Sequence, residues 1–330
     1  MTAINNVEAS VVISDDTADT FLAESDGRAM GTTVQVLVVA PTSQAAQALA
    51  DLGMHRVHLL ERCWSRFRDD SELNYLNAHA GEGFIPVSRD LALLVERMID
   101  AWLWTHGAFD PTVLKSMVSL GYDVDFSQVN TLGPSSLPLE LIGSPGMSGV
   151  EVLDQCVTLP RHVGIDPGGI GKGLAADIIA EELFQAGATG VLVNIGGDAR
   201  ALGTCSGEPW EIGIRDDRQP HSPVVAEQNL GTSGVATSST LRRRWQGRHH
   251  LIDPMTGAPT ASDVVQATVF APSAWQAEAM ATYALVRGRD AFLNWAGSTS
   301  YTAYLFSGTD TPFTYHANNH ANQTKESVHA

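Results

Sequence analysis

The spacing of apolar and polar residues divides the chain into segments typical of strands and helices. Residues 32–40 and 264–270 are β-branched runs of strand length, and both are predicted to be strands. Residues 43–60 and 91–105 repeat apolar side chains with helical periodicity and carry charge on the outer positions, which predicts two helices. Strand-like runs also follow one another without an intervening helix, as around residues 210–215. A simple alternation of strand and helix is therefore not expected.

The most informative segment is the glycine-rich stretch between residues 165 and 198, IDPGGIGKGLAADIIAEELFQAGATGVLVNIGGD. It predicts a glycine-rich loop that opens onto a helix, followed by a buried strand and a second glycine turn. Glycine lets the backbone approach a ligand closely, and the free N–H groups at the start of a helix favour a phosphate or carboxylate. The candidate binding residues of this segment are Gly168, Gly169, Gly171, Lys172, Gly173, Asn194, Gly196, Gly197 and Asp198.

Two known nucleotide-binding motifs match this segment only in part. A Walker A loop needs a glycine at the position of Asp166 and a Ser or Thr at that of Gly173, so it fails twice. A dinucleotide-binding fingerprint through Gly171, Gly173 and Ala176 lacks the strong hydrophobic strand that should precede it. A glycine turn that only packs a helix against a sheet stays open as the structural alternative.

A second candidate site lies on the helix predicted to begin after Ser273. Ser273 and Gln276 form a predicted capping box at its start. Glu278 and Thr282 are four residues apart and therefore share one face of the helix. A carboxylate and a hydroxyl suit Mg²⁺, which prefers hard oxygen ligands. A solvent-exposed glutamate and a threonine bonded to its own helix is the plainer alternative.

A third pattern is HHLIDPMTG, which begins at His249. It places His250 three residues before Asp253, followed by a proline and a glycine turn. Histidine is the side chain best suited to exchange a proton near neutral pH. Asp253 would orient that histidine or hold a substrate hydroxyl. The alternative is an ordinary surface loop.

Composition excludes several classes of protein. The chain has 330 residues, of which 44% are hydrophobic, enough for one large core or two modest ones. The net charge of −17 argues against nucleic acid or an anionic membrane as a partner. Cys63, Cys156 and Cys205 are too widely spaced for a metal knuckle or a disulfide framework. The N-terminus lacks the pattern of a signal peptide or lipid anchor, so we expect no membrane anchor and a cytoplasmic location.

Motifs along most of the chain, taken in order, resemble those of the FAD:protein FMN transferases, the ApbE family. The resemblance runs from roughly Met30 to Gly288. The motifs are MGTTVQV from Met30, WSRFRDDSELNYLN from Trp64, GAFDPTV from Gly107, DPGGIGKGLAAD from Asp166, VNIGGD from Val193, VATSS from Val235, HHLIDPMTGAP from His249 and SAWQAEAMAT from Ser273.

The resemblance implies an α+β fold with two related lobes of T-fold-like, mostly antiparallel sheet flanked by helices. It implies one domain over residues 28–315, with a mobile N-terminal segment at 1–27 and a polar C-terminal tail at 316–330. The implied reaction moves the FMN moiety of FAD to a Thr or Ser hydroxyl of an acceptor protein and releases AMP, with Mg²⁺. Hydrolysis of FAD to FMN and AMP, or FAD binding without catalysis, are the alternatives.

The resemblance also implies roles for individual residues. In relatives an Asp stands at the position of Glu278, so this chain differs by one methylene at a metal ligand, and Ser239 replaces a glycine. Mg²⁺ would be held by Glu278, Thr282 and the carbonyl of Gly171. The catalytic candidates are His250, Asp253 and Lys172. The residues implied to bind FAD, beside the glycine-rich segment, are Met30, Phe67, Asp110, Asp166, Asp177, Thr237, Ser238 and His250.

Overall fold

The computed structural model describes residues 7–10, 20–129, 141–219, 223–297, 301–308, 313–317 and 325–327. The strands are β1 (Val7–Ser10), β2 (Phe21–Ala29), β3 (Thr32–Ala40), β4 (Ile85–Pro86), β5 (Glu151–Leu153), β6 (Cys156–Thr158), β7 (Gly190–Ile195), β8 (Asp198–Gly203), β9 (Trp210–Arg215), β10 (Val224–Leu230), β11 (Gly234–Ser239), β12 (Arg244–Trp245), β13 (Arg248–His249), β14 (Val264–Ala271), β15 (Tyr301–Ser307), β16 (Phe313–Ala317) and β17 (Lys325–Ser327). The helices are α1 (Ser43–Trp64), α2 (Glu72–Ala78), α3 (Arg89–Trp104), α4 (Leu114–Ser119), α5 (Phe126–Val129), α6 (Gly171–Gln185), α7 (Ala274–Arg287) and α8 (Arg289–Ala296), with a 3-10 helix at Pro111–Val113.

Nine strands form one antiparallel sheet in the order β17-β16-β15-β14-β11-β8-β7-β3-β2. The same arrangement occurs twice. In the first half β2 and β3 precede α1 and α6, and β7 and β8 follow; in the second β11 and β14 precede α7 and α8, and β15 and β16 follow. Pairing of β8 with β11 joins the halves. The expected α+β class, with mostly antiparallel sheet flanked by helices in two related parts, is confirmed.

The long helices cover one face of this sheet. α1 packs on β2 and β3, α6 on β7 and β8, and α7 on β11 and β14. α1 begins where the side chain of Thr42 accepts a hydrogen bond from the N–H of Ala45 (3.1 Å), and it buries Val57 and Leu60 against the sheet. Each fully buried aliphatic side chain contributes about 1.5–3 kcal/mol, so this helical face stabilises the sheet substantially.

The opposite face of the sheet is covered by a small sheet of three strands, ordered β1-β9-β10. Because side chains alternate along a strand, Val36 and Val38 of β3 face the helices, whereas Leu37 and Val39 face this second layer. There they join Trp210 in a separate buried cluster. The central strands are therefore buried on both faces, which explains their continuous apolar sequence.

The structure differs from the expected domain boundaries at both ends. β2 begins at Phe21 and pairs with β3 along its whole length, so residues 21–27 belong to the sheet. Strands β16 and β17 place residues 316–317 and 325–327 of the expected polar tail at the other sheet edge. Residues 1–6, 11–19, 318–324 and 328–330 of the two expected terminal segments lie outside the described residues. Within the described ranges, no helix combines the length and apolar character needed to cross a bilayer.

Candidate active site

A cavity of about 480 Å³ lies between the start of α6, the first turns of α7, the turn that joins β2 to β3 and the hairpin of β12 and β13. Fourteen of the residues proposed from the sequence line it: Met30, Phe67, Asp110, Asp166, Gly168, Gly169, Gly171, Lys172, Gly196, Thr237, Ser238, His250, Glu278 and Thr282. Six others do not line it: Gly173, Asp177, Asn194, Gly197, Asp198 and Asp253. The glycine-rich loop and the polar face of α7, more than 100 residues apart in sequence, thus meet at one site.

The start of α6 faces the cavity, and its N-cap residue, Ile170, makes no side-chain cap. In the first turn the N–H of Gly171 donates to the carbonyl of Pro167 (2.7 Å), and that of Gly173 to Glu278 Oε2 (2.9 Å). A Cβ on Gly169 would make tight contacts, 3.1 Å from the ring of Phe109 and 3.3 Å from Thr282 Oγ1, so glycine keeps this approach open. The dipole at the start of a helix attracts anions. This end of the cavity therefore suits a phosphate group.

Asp166 fixes the loop that leads into α6. Its Oδ1 accepts a hydrogen bond from the N–H of Gly168 (2.7 Å), and its own N–H donates to the carbonyl of Pro111 (2.8 Å). Asp110, just before that proline, accepts from both the N–H and the hydroxyl of Thr112, at 2.8 and 2.6 Å. Burial raises the pKa of Asp110. Both aspartates line the cavity and at the same time hold its backbone in place.

The ammonium group of Lys172 lies between two buried carboxylates. Nζ contacts Asp198 Oδ2 and is 2.6 Å from Glu278 Oε1, while both acidic side chains are at most 2% exposed. The other oxygen of Asp198 accepts a hydrogen bond from the N–H of Thr237 (3.1 Å), and that of Glu278 accepts one from the N–H of Gly173 (2.9 Å). Burial raises the pKa of Glu278 to about 7, against the opposing effect of Lys172. Burial alone would lower the pKa of Lys172, but Asp198 and Glu278 together raise it. With all three groups ionised, the cluster has a net charge of −1.

The oxygen atoms next to this cluster fit a small divalent cation. Thr282 Oγ1, one helical turn after Glu278, is buried and has no hydrogen-bond partner among the residues described. A buried hydroxyl without a partner is costly, and a cation would satisfy it. In the described part of the chain no three His, Cys, Asp or Glu side chains cluster closely enough to hold a metal. A metal here would therefore need a backbone oxygen as well, and Gly171 also lines the cavity.

His250 lines the cavity at the end of the hairpin, whereas Asp253 does not reach it. Burial, then the nearby charge of Arg243, hold the pKa of His250 well below its ordinary value, so the ring is neutral at neutral pH. Its Nδ1 has no hydrogen-bond partner within the described ranges. The expectation that Asp253 orients His250 is wrong: its carboxylate accepts from the N–H of Met255 (3.0 Å) and the hydroxyl of Thr256 (3.4 Å), which closes the next turn.

Gly173 and Asp177 join α6 to α7 and do not face the cavity. A Cβ on Gly173 would lie 2.5 Å from the carbonyl oxygen of Ala274, so glycine is needed for helix contact and not for ligand approach. The carboxylate of Asp177 accepts from the N–H groups of Ala274 and Trp275, both at 2.9 Å. The predicted capping box is wrong, because Ser273 Oγ donates to the side-chain oxygen of Gln276 and accepts no backbone N–H of the first turn. Asp177 caps α7 from a neighbouring helix instead.

In the turn between β7 and β8 one residue lines the cavity and the others stabilise the turn. The side-chain oxygen of Asn194 accepts a hydrogen bond from the N–H of Gly197 (3.0 Å) and so holds the turn together. Gly196 and Gly197 have φ values of +68° and +101°, a left-handed conformation that favours glycine. Only Gly196 lines the cavity. The expectation that Asn194 and Gly197 contact a ligand is therefore not supported by their positions.

Sequence reasoning missed the arginines and several aromatic side chains of the cavity. Arg66 and Tyr122 line one wall, and Arg242 and Arg243 line another. The run of three arginines that follows VATSS, in a chain of charge −17, was a usable signal for an anion site. Arg66 lies within the quoted WSRFRDDSELNYLN motif, but nothing in the sequence distinguishes it from a surface arginine.

The model of the ApbE family matches residues 30–306. The chain belongs to the ApbE family. A FAD:protein FMN transferase of Treponema pallidum is 32% identical over 248 residues, which cover 69% of this chain and 68% of that protein. One of Klebsiella pneumoniae is 29% identical over 273 residues, 80% of this chain and 78% of that protein. The crystal structure of an ApbE protein from Thermotoga maritima, 28% identical, superposes with a TM-score of 0.73 over 86% of this chain and 94% of its own.

One departure that the resemblance implies, a serine in place of a glycine at position 239, is accommodated without strain. Ser239 is the last residue of β11 and is paired with Gln266 of β14, with an ordinary backbone conformation. Its hydroxyl accepts from the N–H of Leu241 (3.1 Å) and lies at the cavity wall. The position does not use the left-handed region that favours glycine, so serine is tolerated here. The departure at Glu278 has larger consequences, since that carboxylate holds Lys172.

Proposed function

We propose that this ApbE-family protein transfers the FMN moiety of FAD to a Thr or Ser hydroxyl of an acceptor protein and releases AMP. The observation that carries the proposal is the meeting of three features in one cavity. They are the start of α6 with Lys172, the polar pair Glu278 and Thr282, and an aromatic wall that includes Phe67. A dinucleotide needs all three, because it combines a diphosphate with flat apolar rings.

The residues of the cavity have separate tasks in this reaction. The N–H groups at the start of α6 and the ammonium of Lys172 bind and orient the diphosphate. His250 is neutral, so its ring is able to accept the proton of the attacking hydroxyl. A bound diphosphate offsets the positive charges of Arg243 and Lys172 and so raises the pKa of His250 toward neutrality. Substrate binding therefore makes this base stronger.

Mg²⁺ belongs to the proposal as a cofactor held by Glu278, Thr282 and the carbonyl of Gly171. When bound, it neutralises negative charge that develops on the phosphates as the bond to AMP breaks. Thr282 Oγ1, buried and without a partner among the described residues, supports this assignment. Glu278 is shared with Lys172, so the protein must reposition one of the two groups to accept the ion.

The alternatives are separated by one incubation. The protein is mixed with FAD, MgCl₂ and a peptide that contains a Ser/Thr-Gly-Ala-Thr sequence, and the products are analysed by mass spectrometry and flavin fluorescence. A peptide that gains FMN, together with AMP, is the expected result. FMN and AMP without a labelled peptide would mean that water is the acceptor. Intact bound FAD would mean a binding protein.

Two controls make the result specific to the proposed site. A peptide with valine at the acceptor position should stay unlabelled, because it has no hydroxyl to attack the phosphorus. His250→Asn should lower the rate of labelling strongly while FAD still binds, since the proton acceptor is lost but the phosphate contacts remain. Labelling by His250→Asn at the full rate would exclude His250 as the base.

A further inference from the structure

Arg66 is held in an unusual position at the wall of the cavity. Its side chain is 6% exposed, and its guanidinium carbon lies 4.0 Å from the ring centre of Phe67 and 4.5 Å from that of Tyr122. Nη1 donates to the carbonyl of Tyr122 (2.8 Å), and Nε lies 2.8 Å from Asp166 Oδ2. Packing on two rings and two polar contacts fix the group rigidly.

The third nitrogen of this guanidinium, Nη2, differs from the other two. Nη2 is buried and has no hydrogen-bond partner in the described part of the chain. Asp166 Oδ2 is held by the ion pair alone, with no hydrogen bond of its own within those ranges. Buried polar groups without partners are rare because each costs free energy. At the wall of a ligand cavity, such a donor marks a place where a ligand supplies the missing partner.

The charge around Arg66 decides what kind of ligand atom it accepts. The carboxylate of Asp166 neutralises the guanidinium, so the pair has no net charge to offer a phosphate. Arg243 and the positive end of the α6 dipole lie elsewhere along the cavity and are the better partners for the phosphates. Arg66 lies instead beside the aromatic side chains Phe67 and Tyr122. A neutral acceptor on a flat ring is therefore the matching chemistry.

We propose that Arg66 is a specificity residue whose Nη2 donates a hydrogen bond to an acceptor atom on the edge of a heteroaromatic ring of the dinucleotide. The inference rests on the proposed function, since it assumes that FAD occupies the cavity. Both rings of FAD carry such acceptors: the carbonyl oxygens of the flavin and the ring nitrogens of adenine. Lysine cannot replace Arg66, because an ammonium is not planar and does not pack between the rings of Phe67 and Tyr122 in the same way.

The test is ligand binding to Arg66→Lys, which keeps the charge beside Asp166 and loses Nη2. Dissociation constants for FAD, FMN and ADP are measured by calorimetry, beside a urea unfolding curve. Arg62→Lys is the matched control, because Arg62 lies on the last turn of α1, is exposed and does not line the cavity. We expect Arg66→Lys to bind FAD about tenfold more weakly, as one hydrogen bond to a charged donor requires. Arg62→Lys should bind as the wild type does.

The affinities for FMN and ADP show which ring of FAD accepts the hydrogen bond from Arg66. Weaker binding of FMN with unchanged ADP places the contact on the flavin, and the reverse places it on adenine. Unchanged binding of all three ligands by Arg66→Lys would overturn the inference. Equal weakening of FMN and ADP with a lower unfolding midpoint would also overturn it, because Arg66 would then only support Asp166. Failure of the wild type to bind FAD would overturn the proposed function itself.

Discussion

Gly173 is the position where the structure and the glycine-rich pattern disagree most, and Gly173→Ala tests which is right. A ligand-approach role predicts that a methyl group here weakens FAD binding and leaves folding intact. In the structure the added Cβ would lie 2.5 Å from the carbonyl oxygen of Ala274, 2.6 Å from its carbonyl carbon and 2.8 Å from the nitrogen of Trp275. All three are backbone atoms, so no side chain can rotate away. The helices must separate by roughly 1 Å to reach ordinary contact.

The size of the effect follows from three contributions, two unfavourable and one favourable. Overpacking of a close contact costs typically about 1–3 kcal/mol. Replacing glycine by alanine inside a helix returns about 1 kcal/mol through helix propensity. Separation of the helices also lengthens the hydrogen bond from the N–H of Gly173 to Glu278 Oε2, now 2.9 Å. An intact charged bond of this kind contributes about 1.5–3 kcal/mol, and its lengthening costs roughly 1 kcal/mol of that, so we expect a net loss of about 2 kcal/mol.

Urea unfolding, followed by circular dichroism, measures this loss as a midpoint lowered by about 1 M. Gly231→Ala is the matched control, because Gly231 has no positive φ and no atom lies within 4 Å of the position that its added Cβ would take. It should leave the midpoint unchanged. If Gly173→Ala unfolds like the wild type while its affinity for FAD falls, the packing argument is refuted and Gly173 contacts the ligand.

Two further predictions concern the cap of α7 and the histidine of the cavity. Asp177→Ala should lower the free energy of unfolding by about 1–2 kcal/mol, because Ala274 and Trp275 lose their acceptor, and Asp177→Asn should cost less; urea unfolding of both variants checks this. Burial and the charge of Arg243 lower the pKa of His250 in the folded state, so the unfolded chain takes up this proton first. The free energy of unfolding should therefore fall as the pH drops below about 6.5, and measurements at pH 7.5 and 5.5 should show a smaller fall in His250→Gln.

Periodicity was sufficient to find the elements that bury one clear face. The strand predicted at residues 32–40 is β3, and the helix predicted from residue 43 is α1, which continues four residues further to Trp64. Both rely on local signals: a run of β-branched residues in the strand, and the apolar stripe and threonine cap of the helix. Local signals of this kind are present in any single sequence.

The roles of Asp177 and Gly173 could not be predicted, because their partners lie about 100 residues away. Asp177 bonds the backbone of Ala274, 97 positions later, and Gly173 bonds Glu278, 105 positions later. Nothing around either residue distinguishes a ligand contact from a contact between helices. The glycine spacing predicted a close approach correctly, but the approaching group is protein backbone.

The arginines of the cavity show a second limit. Arg243 reaches the cavity because the hairpin of β12 and β13 is anchored from outside it. Trp245 Nε1 donates to the carbonyl of Leu120 (2.8 Å), and the ring of Trp245 packs at 5.2 Å from that of Tyr122. This anchor joins segments that are 125 residues apart in sequence. The run of arginines is compatible with an anion site, but nothing in the sequence places it beside α6.

The resemblance implies an aspartate at the position of Glu278 in relatives, and the contacts of Glu278 predict what the longer side chain changes. Its carboxylate contacts both Lys172 Nζ (2.6 Å) and the N–H of Gly173 (2.9 Å). The ammonium of Lys172 would therefore compete with a metal ion for this carboxylate.

In Glu278→Asp the shorter side chain cannot keep both contacts, and Asp198 alone then holds Lys172. The variant should be less stable without metal, because one buried interaction is lost. It should gain more stability from Mg²⁺, since the carboxylate beside Thr282 is no longer engaged; tenfold tighter binding adds about 1.4 kcal/mol at saturation. Urea unfolding across a series of MgCl₂ concentrations measures both effects. Equal stabilisation of the two proteins by Mg²⁺ would show that Lys172 does not compete with the metal for Glu278.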